Sequence, residues 1–241
     1  MKFLHFTEVD STNIYALKNI NNLKDKTVVF ADTQTAGKGR NNRRWISGFP
    51  NNLYMSVVLK PSYSLEENFP LFNITQYMAV VVCRLLALYQ VDASIKWPND
   101  ILVNDKKIAG ILSETCIQGN ELQGMIVGLG VNLNMTNESL SKIDQRAVSL
   151  NILLGKSISR DEFLHKLLDL FFFNYNEFLE EGFSCIKDEY KKKAMFLNKH
   201  IKINAPSETF YGIAKDIDET GALILETNGR ERLINVGDLI C

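Results

Sequence analysis

The segment Gly124–Met135 alternates without a break, and this constrains the fold more than any other stretch. Met125, Val127, Leu129, Val131, Leu133 and Met135 fall on one face; Gly124, Ile126, Gly128, Gly130, Asn132 and Asn134 fall on the other. A period of two marks a strand whose apolar face lies on a core. Its opposite face is stripped almost to glycine. Such a face either lets a neighbour pack closely or leaves a floor for a ligand, which the asparagines at its end could hydrogen-bond.

Around this strand the pattern is mixed. A helix is expected from about Asp10-Ser11-Thr12-Asn13, residues that accept hydrogen bonds from a helix's free N–H groups, and it is read as the first element. Thr27–Ala31 and Asn52–Leu59 read as buried strands, and about Leu71–Tyr89 as a buried helix, its apolar run too short and too charged (Arg84) to span a membrane. Further strands fall between Ala93 and Met135. Ser159-Arg160-Asp161-Glu162 is a capping box opening an amphipathic helix to about Leu179, and a second helix is expected over Ile186–Met195. From about residue 197 short strands alternate with turn signals such as Asp218-Glu219-Thr220-Gly221 and Asn228-Gly229, as in a small barrel. The expected fold is α+β: a mixed or antiparallel sheet flanked by helices over residues 1–195, then a small β-barrel over 196–241.

Composition narrows the function. Lys+Arg of 27 against Asp+Glu of 28 argues against a general nucleic-acid binder, which needs a basic excess on its binding face. Cys83, Cys116, Cys185 and Cys241 are scattered without zinc spacing, which suggests reduced thiols in a cytosol. The N-terminal apolar stretch is too short for a signal peptide, and no membrane partner is expected.

Two segments carry further chemistry. Gly37–Trp45 places Lys38, Arg40, Arg43 and Arg44 within seven residues, separated by glycines and asparagines. Such a cluster is either solvated or built to meet an anion; glycine lets backbone approach a phosphate and arginine's fork suits its oxygens. Trp45 could stack on a purine. In Lys96-Trp97-Pro98-Asn99-Asp100 through Lys107-Ile108-Ala109-Gly110, Asn104-Asp105 reads as a two-residue turn. That register puts Asp100, Leu102, Lys107 and Ala109 on one face, with Asp100 and Lys107 as diagonal neighbours. The pair is either a surface salt bridge or an acid for magnesium beside a cation for an oxyanion.

In order along the chain, Asp10–Asn13, Gln34 with Ala36–Arg40 and Arg43–Trp45, Lys96–Asp100, Lys107–Leu112 and Gly128–Asn132 resemble the biotin–protein ligases. The likeness extends to Gly212, Ile217-Asp218 and Gly221–Leu223. It implies a class II synthetase-like biotin/lipoate ligase catalytic domain with an SH3-like barrel. It also implies an ATP-dependent enzyme that makes biotinyl-5'-AMP and transfers biotin to a lysine of a biotin carboxyl carrier protein. On that resemblance Ser11, Thr12 and Asn13 bind the ureido end, with Gln34, Gly37, Lys38, Gly39 and Gly110 completing the biotin pocket. Arg40 and Lys107 meet the carboxylate and the α-phosphate. Arg43, Trp45, Asn99, Asp100 and Asn132 serve ATP, with Asp100 as the magnesium ligand; Lys107, Arg40 and Asp100 are the catalytic set. Lys38 departs from the arginine many members carry, keeping the charge without the planar fork. The first matching motif begins at Asp10, so no N-terminal DNA-binding domain and no repressor function are expected. Family members are variously monomers and dimers, which allows a homodimer. A lipoate–protein ligase shares the chemistry but is expected to lack this arrangement of Lys96–Asp100 and Lys107–Leu112; a non-enzymatic nucleic-acid module would explain the basic segment alone.

Overall fold

The computed structural model describes residues 1–60, 70–119, 121–206 and 208–240. In chain order the first elements are β1 (Lys2–Val9), α1 (Thr12–Lys18), β2 (Thr27–Gln34), β3 (Leu53–Leu59), α2 (Ile74–Leu88), β4 (Ser94–Lys96) and β5 (Asp100–Val103). Next come β6 (Lys106–Gln118), β7 (Glu121–Val131), α3 (Asn137–Ser141), α4 (Leu150–Leu154), α5 (Arg160–Phe173), α6 (Tyr175–Glu181) and α7 (Lys187–Lys193). The chain closes on β8 (His200–Asn204), β9 (Thr209–Ile217), β10 (Leu223–Thr227), β11 (Arg230–Ile234) and β12 (Asp238–Ile240). Two compact units result: Met1–Phe69 with Val103–Lys166, and Pro70–Leu102 with Leu167–Cys241.

In the first unit the strand order is β1-β2-β3-β7-β6, with β1 parallel to β2 and every other pairing antiparallel. The alternating strand is β7, and its Met125, Val127, Leu129 and Val131 are buried as their spacing demands. Helix α1 packs across β3 and β7, where Ala16, Ile20 and Leu23 close over Val29, Val58 and Ile126. Each such fully buried aliphatic side chain contributes roughly 1.5–3 kcal/mol relative to leaving it in water. Asn104 and Asp105 both take left-handed backbone (φ 50° and 58°), as a two-residue hairpin turn requires.

Two expectations need correction. The first element is not a helix: β1 precedes it, with a partly exposed edge strand whose Phe, His and Glu side chains blur the apolar alternation. The amphipathic helix does not run unbroken to Leu179, because Asn174 leaves helical geometry (φ −107°, ψ 12°) and separates α5 from α6. The serine half of the capping box forms: Ser159 Oγ accepts from Glu162 N at 3.3 Å, while the Glu162 carboxylate takes Lys166 Nζ at 2.7 Å.

In the second unit α2 is buried on nearly all sides, and Arg84 on it forks onto Glu189 at 2.7–3.1 Å. Tyr77 stacks on Phe178 (4.4 Å) and donates its hydroxyl to the Phe171 carbonyl. Strands β4 and β5 pair antiparallel, and the Trp97–Pro98 bond that joins them is cis. The C-terminal strands form an antiparallel sheet ordered β11-β10-β9-β8-β12, closing Ile203, Ala214, Ile217, Leu223, Leu225 and Leu239 into its core. Asn228 and Gly229 make its tight turn with left-handed backbone. Among the described residues Cys83, Cys116 and Cys185 are free thiols, and burial pushes Cys83 up to about 12; Cys241 lies outside the described residues. Among the described residues no helix is long and apolar enough to cross a membrane.

One charged cluster braces the first unit. Asp32 on β2 accepts from Arg160 Nη1 at 2.5 Å and lies 2.7 Å from His5 Nε2 on β1. Burial alone would raise the Asp32 carboxyl, but the hydrogen bonds and charges of His5 and Arg160 outweigh it and hold it below its ordinary value. A depressed carboxyl stabilises the fold above its unfolded pKa, and that stability is lost as pH falls through the lower, folded value. Asp32→Asn should therefore cost roughly 1 kcal/mol at pH 7, discounted for partial exposure. The loss should shrink as pH drops below about 4. Urea melts at pH 7 and pH 3 check this, and an equal loss at both would contradict it.

Candidate functional site

The glycine face of β7 is the base of the site. In the register Ser56 lies opposite Gly128, which lies opposite Leu112, while Tyr54, Gly130 and Gly110 form the next row. Three of these six positions have no side chain, and the space above them is taken by side chains from elsewhere. A Cβ on Gly128 would fall 2.2 Å from Asn13 Oδ1. A Cβ on Gly130 would fall 2.4 Å from the Trp45 indole, and one on Gly110 would lie 2.8 Å from it. The face is thus neither bare nor merely close-packed strand: Asn13 and Trp45 are seated on it.

Asn13 heads a buried polar chain. Its Nδ2 donates to the Leu112 carbonyl (3.1 Å) and to Glu114 Oε2 (2.8 Å). Its Oδ1 lies 2.6 Å from Ser56 Oγ, which is also 2.7 Å from Thr12 Oγ1. Gln34 Oε1 accepts from both Thr12 N (2.8 Å) and Thr12 Oγ1 (3.2 Å), and Gln34 Nε2 donates to Ser47 Oγ at 2.9 Å. Ser47 Oγ in turn donates to the Trp45 carbonyl at 3.0 Å. Ser11 precedes α1 in extended backbone, its own N–H donating to Asp10. Thr12, Asn13 and Gln34 are buried and hydrogen-bonded, with Ser11 buried beside them, so this is an internal network rather than a set of surface polar groups.

The basic segment folds as a hairpin. Lys38 bridges Arg44 antiparallel, Trp45 N donates to Gly37 O at 2.9 Å, and Gly39 N donates to Arg43 O at 2.7 Å. The turn residues Asn41 and Asn42 both take left-handed backbone (φ 52° and 57°), which asparagine tolerates better than most residues. Arg44 reaches back to the Thr35 carbonyl (2.9 Å), and Lys38 Nζ lies 3.5 Å from Glu114 Oε1. A cleft of about 810 Å³ opens beside the hairpin, lined among others by Ile14, Ala36, Lys38, Arg40, Leu112 and Glu114.

Lys107 stands on β6 with Nζ 5.1 Å from the centre of the Trp45 ring, a cation–π contact. Its backbone is clamped: Lys107 N donates to Arg146 O (2.9 Å) and Val148 N to Lys107 O (3.0 Å). The polar stretch after β7 is therefore a short helix and then a strap bound alongside Lys107. Trp45 Nε1 is buried with no hydrogen-bond partner, so packing on glycine and the lysine charge hold the ring.

The structure brings Thr12, Asn13, Gln34, Lys38, Arg40, Trp45, Lys107 and Gly110 into the first unit around one glycine floor. Asn132 also lies there, but its Nδ2 donates to the carbonyls of Val148 (3.1 Å) and Lys107 (3.4 Å). Asn134 donates to the carbonyls of Asn51 and Ile158. The N–H groups of both side chains thus anchor backbone. Arg43 is exposed on the hairpin turn, and Asn99 and Asp100 belong to the second unit, where Asp100 pairs with Lys96. Three network residues escaped the motif reading: Ser47, Ser56 and Glu114. The period of two could have found Glu114, since it follows Gly110 and Leu112 on one face of β6.

This geometry has known counterparts. Residues 5–132 match the Biotin/lipoate A/B protein ligase family, and residues 196–240 match the Biotin protein ligase C terminal domain. The chain belongs to the biotin/lipoate protein ligase family. It is 34% identical over 91% of its length to the bifunctional ligase/repressor BirA of Bacillus subtilis, covering 67% of that protein. It is 30% identical to the biotin–[acetyl-CoA-carboxylase] ligase of Paracoccus denitrificans, covering 95% of this chain and 96% of that one. Among solved structures it is similar to the biotin protein ligase of Aquifex aeolicus in complex with biotin and ATP. That likeness has a TM-score of 0.82 and 28% identity, over 99% and 97% of the two chains.

The glycine seat makes a direct prediction. Gly128→Ala drives a methyl into Asn13 and should cost roughly 1–3 kcal/mol. Gly48→Ala, where nothing lies within 4 Å, should stay within about 0.5 kcal/mol of the parent. Chemical denaturation of the two variants checks the difference.

Proposed function

We propose that this chain is a biotin–protein ligase that condenses biotin with ATP to biotinyl-5'-AMP and passes the biotinyl group to a lysine of a biotin carboxyl carrier domain. The observation that carries the reading is the pairing of a buried donor–acceptor network with a cation-lined cleft, joined through Leu112 and Glu114, which belong to both. A ureido ring needs both donors and acceptors, and Thr12, Asn13, Gln34 and Ser11 supply that kind of surface. The likeness to the biotin–[acetyl-CoA-carboxylase] ligase of Paracoccus denitrificans and to the biotin protein ligase of Aquifex aeolicus supports biotin over lipoate.

The chemistry asks two anions to meet. A carboxylate oxygen of biotin attacks the α-phosphorus of ATP; the bond to the bridging oxygen breaks and pyrophosphate leaves. The carrier amine then attacks the acyl carbon, AMP departs, and the amine loses a proton. Cations at the meeting point lower the repulsion, and fixed ones do so without reorganising. In this reading Arg40 and Lys107 contact the carboxylate and α-phosphate, with Lys38 adding charge to the hairpin wall formed with Gly37 and Gly39. Gly110 leaves room beside Lys107. Trp45 and Arg43 serve the nucleotide, and Asn132 keeps the Lys107 strand in register.

Asn99 and Asp100 complete the nucleotide set in this reading, with Asp100 as the ligand to magnesium. Among the described residues no three His, Cys, Asp or Glu side chains converge to hold a metal. Asp100 would hold a magnesium ion, which would supply charge neutralisation at the substrate's phosphates. We assign residues 1–195 to the catalytic domain and 196–241 to the barrel, and place the protein in the cytosol, as a monomer or homodimer.

With ATP, magnesium and biotin the protein should release pyrophosphate in a biotin-dependent manner. Lys107→Ala should slow that release about a hundredfold or more while leaving the circular dichroism unchanged. Release that is independent of biotin, or equally fast with lipoate, would overturn the assignment.

A further inference from the structure

Glu114 is a half-buried carboxylate that no motif singled out, and it sits at a junction. One oxygen accepts from Asn13 Nδ2 at 2.8 Å, and the other lies 3.5 Å from Lys38 Nζ on the basic hairpin. Asn13 is a side chain whose direction matters. An amide presents a donor or an acceptor according to which way it is turned, and the two are nearly the same shape. Here the carboxylate and the Leu112 carbonyl face the amide from one side, and both are acceptors only. A turned amide would set Oδ1 against a carboxylate and a carbonyl, which is repulsive. Oδ1 is therefore held towards Ser56 and over Gly128, where the missing side chain lets it approach the strand.

We propose that Glu114 is a positioning residue for biotin: its carboxylate turns Asn13 so that Oδ1 faces a ligand N–H, and through Lys38 it seats the basic hairpin beside that amide. The inference rests on the biotin reading above. It adds that recognition of the ureido N–H depends on a charge one residue removed from the ligand. A hydrogen bond to an ionised acceptor is stronger than a neutral one, so the orientation should weaken in graded fashion as the charge and then the acceptor are removed.

Steady-state pyrophosphate release with Glu114→Gln and Glu114→Ala tests this. The KM for biotin should rise about tenfold in Glu114→Gln and further in Glu114→Ala, and by a larger factor than the KM for ATP. General unfolding would lower apparent kcat and spare neither substrate. A rescue separates positioning from packing: Asn13→Asp alone sets two carboxylates together, and adding Glu114→Gln restores a donor–acceptor contact. The double variant should bind biotin more tightly than Asn13→Asp alone. A readout free of catalysis is NMR of the unliganded protein. There the Asn13 side-chain amide protons should shift upfield and exchange faster in Glu114→Ala. Unchanged amide signals, or a biotin KM unmoved in both Glu114 variants, overturn the proposal. Failure of the unsubstituted chain to release pyrophosphate with biotin tells instead against the parent reading, and the amide signals then decide the positioning claim alone.

Discussion

The arrangement of the first unit depends on the absence of side chains at Gly110, Gly128 and Gly130. Strands β6 and β7 place these three positions on one face, and every Cβ there would collide with something already present. Without the glycines, Asn13 could not descend to reach Ser56, Leu112 and Glu114, and Trp45 could not lie flat across the strands. The start of α1 and the end of the basic hairpin are thus brought to the same floor by close approach. A single sheet face then serves both as core, where Val58 and Ile126 meet α1, and as the base of a site.

Electrostatics on that floor is organised by a few contacts. The hairpin holds its cations in a defined turn because Asn41 and Asn42 accept left-handed backbone. Like charges so close repel, and Glu114, the Thr35 carbonyl and the Trp45 ring offset part of that repulsion around Lys38, Arg44 and Lys107. These partners are moderate ones: a 3.5 Å ion pair and a cation over a ring contribute about 1 kcal/mol or less each at partly exposed positions. A phosphate or carboxylate entering the cleft meets Lys38 and Arg40 already placed on its wall. The half-buried Trp45 ring, whose Nε1 has no hydrogen-bond partner, is likewise seated by packing.

Much of this was legible in the amino-acid order, for reasons that can be named. The alternation of β7, the two-residue turn at Asn104-Asp105 and the capping box at Ser159 are local signals, and local signals survive folding. β1 was not legible because an edge strand need not bury either face fully, so its exposed Phe3 and His5 beside half-buried Leu4, Phe6 and Val9 give no clear apolar alternation. The break at Asn174 was hidden because the residues on both sides remain apolar at helical spacing. The backbone contacts of the asparagines after β7 were not legible for a chemical reason: an amide that caps backbone carbonyls reads the same as one that meets a ligand. Glu114 lies beyond the motif that made β6 conspicuous, and only the fold reveals that Asn13, a hundred residues earlier in round terms, ends beside it.

The central claim is that biotin and the nucleotide share the glycine floor of the first unit. A crystal structure of the chain with biotin and ATP tests it most directly. The account predicts the ureido ring against Thr12, Asn13 and Gln34, the α-phosphate between Arg40 and Lys107, and the Trp45 ring against the nucleotide. Biotin bound away from the β6–β7 face, with the Asn13 network untouched by it, would contradict the account.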